Sequence, residues 1–427
     1  MLDIKLVREN TSLVRENLKK RNNPEKLKLL DELLKVDTEW RKLQTQTNSL
    51  KQKRNQLSID VARSKRMGKP AKKELAEAKK VDALIQKNDK KLAKLETKGR
   101  MLLLSIPNLL HGSVPVGEDE NDSIEVRRWG EPPQFDFRPK SHLEILQDLD
   151  LIDVERGAKV AGERFYYLKG DLVLLDLALQ KFALDVLRKV GFTIIEPPLM
   201  IKRKPYEGVI DLSDFEMVTY KIEGEDAYMI ATSEHPISAM FMDEILEGNK
   251  LPLLFAGISP CFRKEVGAHG KYTKGLFRTH HFNKVEQFVF CLPEQSWKLH
   301  EDIQRNCELL YQSLGLHYRV VNVCTGDIGN IAAKKYDTEF WMADGKFREI
   351  GSNSNCTDYQ ARRLGIRYRE GEGKPVKGFV HTLNNTALAT SRTMIAIIEQ
   401  FQQRDGSVVI PKVLRPYMFG IEKLEKK

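Results

Sequence analysis

The chain has 427 residues, 41% apolar and 30% charged, enough for two or three domains and a large core, which excludes a disordered protein. No run approaches the ~18 apolar residues of a membrane span, and the charged start MLDIKLVREN is no secretory signal. The net charge of +10 is uneven: residues 1–110 hold 28 Lys/Arg against 14 Asp/Glu (+14), leaving 42 against 46 (−4) for the rest, so a nucleic-acid partner is expected at the N-terminal quarter.

In chain order, apolar residues fall at 29, 33, 36, 40, 43, 50, 57 and 61. With Thr47 and Arg54 filling two slots, the steps alternate between four and three, a heptad seam. RMGKPAKK (66–73) carries the breakers Gly68 and Pro70. A second seam follows through Leu75, Ala78, Ile85, Leu92, Leu95 and Leu102, with Val81 and Leu84 beside it. The pattern predicts an antiparallel coiled-coil hairpin over about 27–103, each helix ~45–60 Å long. Its tip half carries Lys51, Lys53, Arg54, Arg63, Lys65, Arg66, Lys69, Lys72 and Lys73 against Asp60. This charge fits either a solvated helix face or a rod that tracks the phosphates of folded RNA or DNA.

Pro107 ends the second helix, and 111–140, rich in Gly, Pro and acid, predicts a linker to a body over 141–427. The body mixes helix-like VLLDLALQKFALDVLRKV with β-branched runs such as FTIIEPP, NKVEQFVF and YRVVNVC, without regular β-α alternation. This predicts an α+β fold, an antiparallel sheet with flanking helices. Neither a Walker loop nor a strand-linked dinucleotide fingerprint is present. The five cysteines (261, 291, 307, 324 and 356) form no C-x-x-C pair, so neither a zinc knuckle nor a disulfide framework is expected, and a reducing cytoplasm is.

Within the body, FRKEVGAHGKYTKGLFRTHHF (262–282) gathers Arg263, Glu265, Arg278 and Phe282. On a strand, Arg263 and Glu265 share a face. A guanidinium fork holds phosphate, a carboxylate accepts from an exocyclic amine, and a ring stacks a base. Lys264, Lys271 and Lys274 raise the local potential. A surface loop with an i,i+2 ion pair fits the same residues. Glu349 and Glu286 likewise fit strand pairs with Arg348 and Lys284, and Thr232-Ser233-Glu234 fits a helix N-cap.

GFTIIEPPL (191–199), FRKE…GLFRTHHF and TLNNTALATSR (382–392) occur in the order of motifs 1, 2 and 3 of class II aminoacyl-tRNA synthetases, which they resemble. Residues 1–110, Thr232-Ser233-Glu234, HHFNKVEQ (280–287) and FREIGSNSNCTDYQARR (347–363) are similar to the seryl-tRNA synthetase family in particular. The resemblance covers essentially the whole chain. It implies ATP-dependent activation of L-serine as seryl-adenylate, with release of pyrophosphate, and transfer to serine tRNA. Activation for a carrier protein is the alternative, though such relatives lack the basic hairpin.

The resemblance further implies roles by position. Arg263 holds the α-phosphate and the serine carboxylate, Glu265 reads the adenine amine, and Phe282 and Arg392 stack the adenine, with Arg392 reaching the γ-phosphate. Arg278 lies on the triphosphate. Lys264, Thr279, Ile350 and Gly351 complete the ATP site, and Glu349 and Ser352 hold Mg2+, with no zinc. Thr232, Ser233 and Glu234 hold the serine ammonium, Glu286 accepts its hydroxyl, and Asn384 and Thr386 close the pocket. Motif 1 (about 185–200), with Pro198, implies a homodimer. The hairpin's basic residues imply a grip on the tRNA's long variable arm, and motifs 2 and 3 span about 255–290 and 380–400.

Overall fold

The computed structural model describes residues 1–211, 215–265 and 275–427. Lys271 and Lys274 lie outside the described residues. Two compact units divide at Pro107/Asn108.

The first unit is helical. Helices α1 (Ile4–Glu9) and α2 (Thr11–Lys19) precede α3 (Pro24–Arg66) and α4 (Lys72–Ser105). Asn23 caps α3, its side chain accepting from the Glu25 N–H, with Pro24 in the first turn. Gly68, at φ 69°, lies in the turn between the long helices. On α3 the buried seam runs through Leu33, Val36, Thr47 and Leu57. Thr47 is fully buried and turns its hydroxyl to the Leu43 carbonyl at 2.7 Å, so the polar slot is satisfied within the helix.

The α4 seam differs from the expected one. Val81, Ile85 and Leu92 are buried, whereas Leu75 and Leu84 are exposed. Val81 belongs in the seam, and Leu75 and Leu84 lie outside it. Five ion pairs join the two helices: Lys98–Glu32, Lys91–Glu39, Lys51–Asp89, Lys53–Glu77 and Arg54–Asp82.

The second unit is built on an eight-stranded sheet. Its strands are β1 (Ile124–Trp129), β2 (Thr193–Ile195), β3 (Leu253–Phe262), β4 (His281–Cys291), β5 (Tyr318–Asn322), β6 (Lys334–Trp341), β7 (Phe347–Thr357) and β8 (His381–Ala389). The order is β1-β5-β6-β7-β8-β4-β3-β2, antiparallel throughout except that edge strand β2 runs parallel to β3. The α+β expectation is borne out.

Helices α5 (Asp171–Lys189), α6 (Ser296–Leu314) and α7 (Thr390–Gln400) contribute Leu175, Leu179, Ile303, Leu310, Met394 and Ile397 to one core with Val285, Val289 and Leu383 of the sheet. Strand alternation then turns Lys284, Glu286 and Phe288 to the opposite face. The expected linker over 111–140 is corrected: its residues 124–129 pair with Tyr318–Asn322 as an edge strand. The strand is short and mostly exposed, Ile124 and Val126 included, and the Gly-, Pro- and acid-rich stretches around it give the segment its linker-like composition.

Candidate active site

The face of the sheet away from α5–α7 bears a cavity of about 350 Å³. Every residue expected to bind serine or nucleotide lines it except Ser233 and Lys264. Ser233 is fully buried behind the wall, its hydroxyl donating to the Gly257 carbonyl at 3.3 Å. A side chain at 257 would come within 2.7 Å of that hydroxyl, so glycine permits the approach. The Lys264 backbone N–H donates to the Val218 carbonyl.

At the nucleotide end, Arg263 lies 5.3 Å over the Phe282 ring, and its Nε donates to the Ala231 carbonyl at 3.3 Å. The expectation that Arg263 and Glu265 share a strand face is corrected. Strand β3 ends at Phe262, and Glu265 has φ 47°. Both still reach the cavity, and Glu265 pairs with Arg278 rather than with Arg263. The loop before α5 steadies this region: Arg164 donates to the Glu265 carbonyl, and Phe165 stacks 5.1 Å from His280.

On the opposite wall, Arg392 of α7 donates to the Glu349 carbonyl at 2.6 Å and lies 3.6 Å from its carboxylate. Burial pushes the Glu349 carboxyl up, but Arg392, Lys335 and Arg263 outweigh it and hold the group below the usual range. Arg348 pairs instead with Asp344 at 2.6 Å, which leaves Glu349 to the cavity. Ser352 Oγ donates to Glu349 Oε1 at 3.4 Å. Phe277, whose role sequence reasoning missed, lies 4.9 Å beneath the Arg392 guanidinium. The signal was its place beside Arg278, which drew attention only to the arginine.

The amino-acid end is drier. Glu234 opens a short helix (Glu234–Ala239) and accepts amide hydrogens from Gln360 and Asn384, both at 3.1 Å. Thr232 Oγ1 accepts the Glu234 backbone N–H at 3.2 Å, whereas Ser233, at the N-cap position, makes no side-chain capping bond. Burial, and then the nearby Glu286, push the Glu234 carboxyl up to about 7. Glu286 accepts the Thr386 hydroxyl at 3.2 Å and lies 2.5 Å from Lys284. Gly351 lets Thr386 come close, since a Cβ there would sit 2.8 Å from the threonine's own.

Lys335 also lines the cavity without having been singled out. It lies 3.3 Å from buried Asp337, whose Oδ1 meets no donor among the described residues. Burial pushes the Asp337 carboxyl up to about 7. His280 spends its Nδ1 on the Arg263 carbonyl at 2.7 Å, and Cys356 is buried with its sulfur 3.8 Å from the Asn384 amide.

One wall of this cavity thus presents arginines and oxygen ligands, and the other presents a small set of buried carboxylates. The family model of the seryl-tRNA synthetase N-terminal domain matches residues 1–110, and that of the tRNA synthetase class II core domain (G, H, P, S and T) matches 217–401. The serine--tRNA ligase of Methanocella arvoryzae is 55% identical over 372 residues, 87% of this chain and 88% of its own. The seryl-tRNA synthetase of Pyrococcus horikoshii, solved with ATP, is 48% identical and superposes with a TM-score of 0.95 over 100% of both chains. The cytoplasmic serine-tRNA ligase of Naegleria fowleri, solved with AMP, is 38% identical with a TM-score of 0.88 over 100% of this chain and 99% of its own. With its hairpin and its catalytic sheet both matched, the chain belongs to the seryl-tRNA synthetase family.

Proposed function

We propose that the chain is a serine--tRNA ligase that activates L-serine with ATP and transfers the seryl group to tRNA. The observation that carries this is the single cavity in which arginines at one end meet Glu234 and Glu286 at the other. The serine carboxylate, already ionised, attacks the α-phosphorus and pyrophosphate leaves, so the protein's task is placement of charge. Arg263 takes the α-phosphate, Arg278 and Arg392 the outer phosphates, Glu265 the adenine amine and Phe282 its ring. Glu265 pairs with Arg278, and the Glu349 carboxylate lies 3.6 Å from Arg392, so each arginine is held at the cavity beside a carboxylate.

Glu349 and Ser352 fit Mg2+, because both offer oxygen and leave the remaining shell to water and phosphate. When bound, the ion supplies neutralisation of the triphosphate charge. The test of the whole assignment is amino-acid-dependent ATP–pyrophosphate exchange without tRNA across serine, threonine, alanine, cysteine and glycine. Exchange with serine alone is expected, and exchange with none of them overturns the activation chemistry.

Glu234 makes serine binding pH-dependent. Its ammonium partner requires the ionised carboxylate, and burial, then Glu286, push the group up to about 7. The apparent KM for serine is therefore expected to rise by up to about tenfold per pH unit below 7 and to level off above it. A serine KM that stays flat from about pH 6 to about pH 8 would sink the assignment of Glu234 to the ammonium.

For tRNA, the nine basic residues singled out in the hairpin's tip half divide. Lys51, Lys53 and Arg54 are paired across it with Asp89, Glu77 and Asp82, whereas Arg63, Lys65, Arg66, Lys69, Lys72 and Lys73 have no ion pair among the described residues. The tip carries the phosphate contacts. Replacing Lys69, Lys72 and Lys73 by alanine is expected to raise the tRNA KM and flatten its salt dependence by about one unit of log–log slope per lost contact. Exchange without tRNA should not change. An unaltered salt slope in the triple variant would assign the grip elsewhere.

A homodimer through the motif 1 segment is the implied assembly, supported by exposed Leu177 and Ile194 on α5 and edge strand β2. We place the enzyme in the cytoplasm, in keeping with five buried free cysteines, and no described helix is long and apolar enough to cross a membrane.

A further inference from the structure

The amino-acid end of the cavity holds a cation that the serine assignment leaves unused. Lys284 stands two residues before Glu286 on β4, so the two side chains leave the same face. They lie 2.5 Å apart, and their side chains are only 6% and 2% exposed. Both Lys284 and the Thr386 hydroxyl contact Glu286 Oε2. Among the described residues, the hydrogen bond that the Glu286 carboxylate accepts falls on Oε2. The field of Glu286 also acts on Glu234, which holds amide partners but no cation within bonding distance.

A buried ion pair is weak evidence for stability, because apolar groups of similar volume commonly serve as well. Its value here lies in geometry. With Oε2 fixed from two sides, the carboxylate has one oxygen left for a ligand.

We propose that Lys284 is a specificity-determining positioning residue, which clamps Oε2 of Glu286 so that Oε1 is presented to the substrate hydroxyl. The inference rests on the assignment of Glu286 to that hydroxyl. Discrimination between serine and alanine then depends on a side chain that need not touch the substrate.

The experiment is ATP–pyrophosphate exchange by the full chain, with serine and with alanine, for the parent, Lys284→Met, Lys284→Arg and Glu286→Gln. Lys284→Met is expected to lower the serine-to-alanine ratio of kcat/KM by about 30-fold or more. The loss should fall mainly on the serine KM, with alanine exchange falling less than serine exchange. Lys284→Arg, which restores charge and donors, should recover part of the ratio. If Glu286→Gln loses the ratio and folded Lys284→Met keeps it, Lys284 is merely a buried partner and the proposal falls. If Glu286→Gln keeps the ratio, the hydroxyl assignment fails first and takes the proposal with it. Should Lys284→Met not fold, Lys284→Gln, which retains a donor without the charge, is read by the same criterion.

Discussion

Arg263→Ala is expected to lower serine-dependent ATP–pyrophosphate exchange about a thousandfold at saturating substrates. The side chain is anchored rather than free: Nε is bonded to the Ala231 carbonyl, and the guanidinium is held over Phe282. Its remaining N–H groups are therefore set before substrate arrives, and preorganised charge costs no rearrangement during the reaction. Alanine removes both the charge and the fork. Arg263→Lys restores a point charge without the planar donors and should recover only a small part of the rate. A loss smaller than about tenfold in Arg263→Ala would show that the α-phosphate is held by other groups.

Glu286→Ala carries the second large effect, on choice of substrate rather than on the nucleotide. A site that hydrogen-bonds a substrate hydroxyl rejects the analogue lacking it by about 10⁴-fold, because a buried polar group is otherwise left unpaired. Removing the carboxylate should erase most of that preference, with alanine approaching serine within about tenfold in kcat/KM. The same substitution strands the Lys284 ammonium at 6% side-chain exposure. Losing one partner of a buried pair is worth about 3–5 kcal/mol, so a lower thermal midpoint should accompany the altered preference. Retained preference for serine in a folded Glu286→Ala protein would dismiss Glu286 as the reader of the hydroxyl.

The candidate site residues were legible in the sequence through the motifs that carry them: Arg263, Glu286, Glu349 and Arg392 lie far apart in the chain yet line one cavity. Local geometry was harder to read. Alternation along a strand puts Arg263 and Glu265 on one face, but the strand stops at Phe262 and Glu265 takes a left-handed conformation. Strand β1 was hidden because it is short and mostly exposed, and the Gly-, Pro- and acid-rich residues on either side of it read as a linker.

On α4, Leu75 attracted the seam by its chemistry, yet the packed positions include Val81 and Gly99, the latter facing Val36 at 3.6 Å from an ideal Cβ. A two-helix hairpin covers only one stripe of each helix, so a leucine outside that stripe stays in water. Lys284 was visible only as an ordinary strand partner of Glu286. That the pair is buried inside the cavity depends on which face of the sheet the helices cover, and no local pattern contains that.

The place of β1 bears on how the catalytic half can be cut from the chain. Residues 124–129 lend their backbone to Tyr318–Asn322, and Asn108 ties the start of the same segment to the Ile331 and Cys356 carbonyls at 3.0 and 2.9 Å. A fragment begun at Asn108 keeps both attachments. One begun at Ser141, where the composition changes, would strip β5 of its neighbour and leave a row of unpaired amides and carbonyls, a template for another chain to add its own strand.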